Sequence, residues 1–231
     1  MKIIVLHGDD QRKLYNRLSK FIEIAKERSW EVVYLDDPKL SIQEQLSSSS
    51  LFGSERFFII RDISRLSKKE VEWLNIKSSD LSGTLIIYHE GYVSQLILKR
   101  LPNGTKVEEF KLPVMLWNFL DGLYPGNSGK SIKQFHQIIE KEAPEFIFTL
   151  IAKLLRDLYW VKTDSKSLPY PDWRVGKLKV QASKFSIDQL KILIEKLAEI
   201  DIKVKTSKSD LTSELDLLII KLDPSVINEL E

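Results

Sequence analysis

Cysteine is missing from all 231 residues, so neither a disulfide nor a thiolate metal site is available. That absence permits a reducing compartment without requiring one. An excess of charge is missing too: 35 Lys and Arg stand against 33 Asp and Glu, a formal net charge of +2. A total this close to zero demands neither nucleic acid nor a membrane as partner, although it can conceal local patches. Long hydrophobic runs are absent. Apolar stretches stop at about seven residues, far below the ~20 of a membrane-spanning helix. The opening "MKIIVLHGDD" has one lysine and a short apolar run ending in acid, unlike a secretory signal. Together these absences predict a soluble, cytoplasmic protein. What is present agrees with a folded chain: 43% hydrophobic and 29% charged residues, in a length that suits one large or two modest domains.

The first half alternates strand and helix signals. "KIIVLH" reads as a strand buried on both faces, and Gly8 turns the chain where Asp9 or Asp10 can cap a helix. Apolar residues at 14, 18, 21, 22 and 25 mark one helical face. "WEVVYLD", "RFFIIRDI" and "GTLIIYHE" are further strands, with "KVEEF" a possible fifth. Between them, S-x-x-E at Ser41–Glu44 and again at Ser67–Glu70 signals helix starts, and "VSQLILKRL" reads as a helix. Such alternation implies parallel βαβ units in an open sheet. After Pro113 the period becomes helical throughout. Pro113 and Pro144 fall at first-turn positions, Thr163–Asp172 reads as a loop, and Ser186–Gln189 opens another helix. The expected organisation is an α/β domain with a parallel sheet over residues 1–112 and an all-helical domain over 113–231.

Catalytic signatures are scarce. A phosphate loop needs G-x-x-x-x-G-K-[ST] after the first strand, so that backbone N–H groups wrap the phosphates. The turn "HGDDQRKL" has one glycine, no Gly-Lys pair and two aspartates that repel phosphate. A later Gly129-Lys130-Ser131 has Tyr124 where the first glycine belongs and follows a helix, so it reads as a helix–helix turn. His7 and His89 end strands, on the edge where open α/β sheets carry ligands, but with His136 they read best as structural or surface histidines. Asp9, Asp10 and Glu90 lie near that edge and can hold magnesium; capping is the simpler reading. Trp117, Phe119, Tyr159, Trp160 and Trp173 read as packing rather than base-stacking residues, and lysines from Lys177 to Lys208 as a solvated face. No catalytic residue, cofactor or metal is expected.

One stretch resists these readings. In "SSSSLFGSERFFII", Leu51 and Phe52 follow a polar run just ahead of a strand. Either they tuck into a core or they are presented to a partner.

Four motifs in order resemble the delta subunit of the bacterial DNA polymerase III clamp loader. They are "IIVLHGDD", "SSSSLFGSERFFIIRDI", "PEFIFTLIAKLLRDLYWVK" and the long stretch from "VGKLKVQASKF" to "DLLIIKL". In the last, Gln181-Ala182, Phe185-Ser186, Leu190, Leu197, Asp201, Lys205-Thr206 and Leu215 to Ile219 fit the family pattern. The resemblance implies an N-terminal domain built like an AAA+ ATPase but without a P-loop, and a helical collar that joins related subunits. It implies a replication protein that binds the sliding clamp and holds its ring open on primed DNA. Partner ATPase subunits and a delta-prime-type subunit complete the loader, and no membrane is involved. By position Leu51 and Phe52 take the role of the family's clamp-binding pair, and Gln181, Phe185, Leu190, Asp201 and Lys205 fall in the collar interface. The family places a helical lid domain ahead of the collar, whereas "KVEEFKLP" here runs almost directly into "VMLWNFLDGLY". The alternatives to this function are a small P-loop-type NTPase or phosphotransferase, and a non-catalytic assembly scaffold.

Overall fold

The computed structural model describes residues 1–37, 40–48 and 55–222. The chain divides into two units, Met1–Leu112 and Pro113–Glu231. The first is a five-stranded parallel sheet with helices. Strands β1 (Lys2–Gly8), β2 (Glu31–Tyr34), β3 (Arg56–Ile60), β4 (Thr84–Glu90) and β5 (Lys106–Phe110) lie in the order β2-β3-β4-β1-β5. Between them run α1 (Gln11–Glu27), α2 (Ile42–Ser47), α3 (Lys68–Lys77) and the short α4 (Gln95–Leu98).

The alternation of side chains along each strand explains the layers. Ile4, Leu6, Phe57, Ile59 and Ile86 point to one face and pack with Leu14, Leu18 and Ala25 of α1. Ile3, Val5, Phe58, Ile60, Leu85 and Ile87 point to the other and pack with Ile42 and Leu46 of α2 and Leu74 of α3. Each such side chain, fully buried, contributes about 1.5–3 kcal/mol. Because both faces are covered, the central strands need continuous apolar runs, which is what "KIIVL" and "TLIIY" supply.

Several boundaries differ from the sequence reading for local reasons. β3 stops at Ile60, because Asp62 accepts the Ser64 N–H at 2.8 Å and starts a 3-10 turn at Ile63–Arg65. α4 is only Gln95–Leu98, capped by Ser94, and Val93 is buried ahead of it. Pro113 is the N-cap of its helix rather than a first-turn residue, while Pro144 does occupy the first turn. Ser67 and Ser186 each form a complete capping box. Ser41 makes only half of one, accepting from the Glu44 N–H.

Residues 111–113 are all that separates β5 from the first helix of the second unit. That unit comprises α5 (Val114–Gly122), α6 (Ser128–Ile139), α7 (Pro144–Thr163), α8 (Asp172–Ala182), α9 (Ile187–Lys205) and α10 (Leu211–Ile220). α7 is its centre and packs against α5, α8, α9 and α10. Ile147, Leu150, Ile151, Leu155, Leu158 and Val161 keep the helical period along its buried side. Phe119 of α5 and Phe135 of α6 are both fully buried and stack at 6.1 Å. Among the described residues no helix is long and apolar enough to cross a membrane.

Candidate interaction sites

The carboxyl edge of the sheet, between β1 and β4, is where a ligand would lie in an open α/β fold. Here the chain closes it: the Gly91 N–H, just past β4, donates to the Gly8 carbonyl at 2.9 Å, and β1 is closely packed on its other side, against β5. Gly8 has φ +141, and a Cβ there would lie 2.1 Å from the Phe110 carbonyl oxygen. The Asp10 N–H donates to that same oxygen at 3.0 Å. Asp10 itself is fully buried and caps α1, accepting the Lys13 N–H at 3.1 Å, with Lys13 Nζ 3.0 Å from its other oxygen. A phosphate at this helix terminus would meet a buried carboxylate instead of free N–H groups. Glu90 is engaged as well, accepting from Gln11 Nε2 at 2.8 Å and from the Tyr88 hydroxyl at 3.2 Å. Among the described residues no group of three or more His, Asp or Glu is placed to hold a metal ion.

His7 pairs in register with His89 on one side and Glu109 on the other. It is buried, and neither ring nitrogen makes a hydrogen bond of good geometry among the described residues. Burial pushes its pKa below the ordinary value, with Glu109 opposing. His89 differs in being half-buried and 3.1 Å from Asp62. His136 pairs with Asp216 at 3.0 Å. His89 and His136 therefore each have a partner within their own unit.

The Gly126–Ser131 segment is a helix–helix turn. Asn127 Nδ2 and Ser131 Oγ both donate to the Gly122 carbonyl, at 2.7 and 3.1 Å, and so close the end of α5. Its lysine lies in the first turn of α6 and follows a helix, not a strand.

Leu51 and Phe52 lie outside the described residues. What flanks them is described, and it turns on Arg56, the first residue of β3. Its Nη1 donates to the Ser48 carbonyl at 2.7 Å, to Ser48 Oγ at 2.6 Å and to the Gln45 carbonyl at 3.3 Å. Its Nε is 3.1 Å from Glu31, and its guanidinium lies over the Phe58 ring at 4.8 Å. A lone arginine opening an apolar strand was the available signal.

In the helical unit the five predicted interface residues separate into two groups. Gln181 is buried, and its Nε2 donates to the carbonyls of Leu120 and Leu123, at 2.8 and 2.9 Å. Phe185 and Leu190 are buried among the helices. These three make their contacts inside the unit. Asp201 and Lys205 are the accessible pair, joined across one helical turn at 2.7 Å. Trp173 also departs from the packing expected of it, being 57% exposed.

A polar cluster went unread. Asp157 on α7 is 1% exposed and accepts from Arg156 Nη2 at 2.8 Å and from the Tyr170 hydroxyl at 2.7 Å. Burial, then the bond to Asp157, pushes the Tyr170 phenol up to about 12. The cluster fixes the 164–171 loop against α7.

Comparison with known proteins bears on the helical unit. Residues 116–222 match the family model for the DNA polymerase III delta subunit, C-terminal domain. No curated protein matches the chain significantly. Among solved structures, the Bacillus subtilis DNA clamp loader delta protein (YqeN) is similar at 17% identity and a TM-score of 0.39, over 95% of this chain and 94% of that one. The matched residues run from the first turn of α5 to just past α10 and take in all six helices. The helical unit is thus similar to the C-terminal domain of the DNA polymerase III delta subunit.

Proposed function

We propose that this protein is a clamp-loader subunit of the delta type, which binds the sliding clamp and opens it for loading onto primed DNA. The single observation that carries the reading is the family match of residues 116–222. In this reading the helical unit is the collar that joins ATPase subunits and a delta-prime-type subunit, with Asp201 and Lys205 among its accessible contacts. The α/β unit is the clamp-binding part, and it performs no catalysis of its own. The filled β1–α1 turn supports that division: Asp10 occupies the helix terminus that a nucleotide phosphate would need. The protein acts in the cytoplasm, without a membrane partner.

Leu51 and Phe52 enter an apolar pocket on the clamp as a hot-spot pair. Replacing both with alanine tests this, with clamp affinity and melting temperature measured on the same samples. Affinity should fall by about thirtyfold or more, as expected of an anchor worth upwards of 2 kcal/mol. Melting should be unchanged. A large drop in melting temperature, with binding lost only in proportion to unfolding, would identify the pair as core residues and overturn the assignment. Tight binding of labelled ATP with magnesium would overturn the non-catalytic reading.

A further inference from the structure

We propose that the outward face of α8 is a docking surface for an acidic amphipathic helix of another loader subunit, an inference that rests on the clamp-loader reading above. α8 turns one side into its own unit, through Leu178, Gln181 and Ala182. The opposite side carries a second pattern. Trp173, Gly176 and Val180 fall at i, i+3 and i+7, so they form one stripe along the helix. Trp173 is 57% exposed and Val180 is 67% exposed. Exposed lysines flank the stripe, Lys177 and Lys184 on one side and Lys179 on the other. No Asp or Glu stands between Trp173 and Ile187, in a chain whose charges otherwise nearly cancel.

A single exposed apolar side chain is ordinary. Here two share one stripe, and one of them is a tryptophan, the residue type most enriched among interface anchors. Gly176 sharpens the point. A Cβ there would meet nothing within 4 Å, so this glycine weakens the helix without relieving any crowding inside the chain. What it supplies is a notch between Trp173 and Val180 that a partner's large apolar side chain can enter. Apolar positions at this spacing, with charged positions beside them, are the pattern of one member of a helix pair, in which the flanking charges choose the partner. Because the flanks are lysine, a second copy of α8 is repelled and a helix with carboxylates at the facing positions is favoured. Asp121 offsets part of this charge, since Lys177 Nζ is 3.7 Å from it. Lys184 instead rests over the Tyr124 ring at 3.1 Å, where it keeps its charge. Single-stranded nucleic acid could use Trp173 and the lysines, but Gly176 and Val180 give it neither stacking nor charge.

The test is assembly of the full-length chain with the purified cognate ATPase and delta-prime-type subunits. It is read as a dissociation constant by analytical ultracentrifugation, with melting temperature taken on the same samples. Trp173→Ala should weaken assembly about thirtyfold. Lys177→Glu combined with Lys179→Glu should weaken it about tenfold at low salt and much less at high salt; an equal loss at both salt concentrations overturns the acidic partner. Gly176→Gln separates docking from folding. A better helix former at an open position should raise the melting temperature, yet its side chain fills the notch and should weaken assembly about tenfold. Wild-type affinity in either Trp173→Ala or Gly176→Gln overturns the proposal. Weaker binding of a single-stranded oligonucleotide by Trp173→Ala, with assembly unchanged, would assign the face to nucleic acid and overturn it as well. If the wild-type chain does not assemble with these subunits at all, the loader reading fails and takes this inference with it, an outcome distinct from intact assembly in the variants.

Discussion

The two units solve the problem of interior polar groups differently. In the α/β unit the strands satisfy each other's backbone across the sheet, so the buried polar side chains His7, Asp10 and Thr84 lie at strand ends and turns. In the helical unit the buried polar residues are Ser131, Asp157, Gln181 and Glu214, and each holds a partner. Ser131 and Gln181 donate to carbonyls at the end of α5, Asp157 accepts from Tyr170, and Glu214 meets Lys203 across α9 and α10 at 3.4 Å. The contrast follows from geometry. A helix leaves its last four carbonyls unpaired, so a unit made only of helices must bring side chains to those ends. A sheet with both faces covered has few such debts, and its vulnerable points are places where backbone approaches backbone.

The largest effect should therefore come from the closest backbone approach. Gly8→Ala sets a Cβ against the Phe110 carbonyl and forces alanine to φ +141. It should cost about 3 kcal/mol or more. Hydrogen exchange should find protection lost in the α/β unit and kept in α5–α10; uniform loss would break the contrast. Next comes Gln181→Leu, which keeps the volume but strips the Leu123 carbonyl of its side-chain donor and leaves the Leu120 carbonyl with the Leu123 N–H alone. A loss of about 2 kcal/mol is expected, read by urea unfolding, with the helical unit alone affected. The smallest effect belongs to a part-buried pair at the sheet edge. Arg17 grips Glu108 through Nε at 2.7 Å and Nη2 at 3.0 Å, with Lys106 on the same carboxylate. These bonds, Arg17 foremost, hold the Glu108 pKa at about 2 against an ordinary 4.5. The stabilisation is present above pH 4.5 and is lost as the pH falls toward 2. Arg17 is partly solvated, so Arg17→Ala should cost only about 1 kcal/mol at pH 7. Parallel melts of the two proteins should converge near pH 2; a constant gap would show that packing of Arg17 over Phe21, at 4.4 Å, matters more than charge.

The sequence made the element types legible wherever a period ran long enough. Ile3 to Leu6 and Leu85 to Ile87 read as strands because both faces are buried. The α7 pattern from Ile147 to Val161 read as a helix because its apolar residues recur every three or four positions. Gly8 and Asp10 were legible as a turn and a cap, since their chemistry is local. Gln181 and Asp157 were not, because their partners are distant in the chain or supplied by a loop: Gln181 reaches Leu120, and Asp157 reaches Tyr170. Phe185 and Leu190 read as family positions, and that pattern could not distinguish a core residue from a contact residue. Arg56 was not legible either, because two of its three acceptors at the end of α2 are backbone carbonyls, which carry no residue signature.

Asp10 has a consequence in thermodynamic terms. A phosphate loop is an unfinished structure whose stability rises with the concentration of the nucleotide that completes it. By completing the turn with its own carboxylate, this chain removes that dependence at its source. In the delta-type role proposed above, an α/β unit of this kind would keep one state whether nucleotide is abundant or scarce, a fixed reference against which neighbouring ATPases change shape.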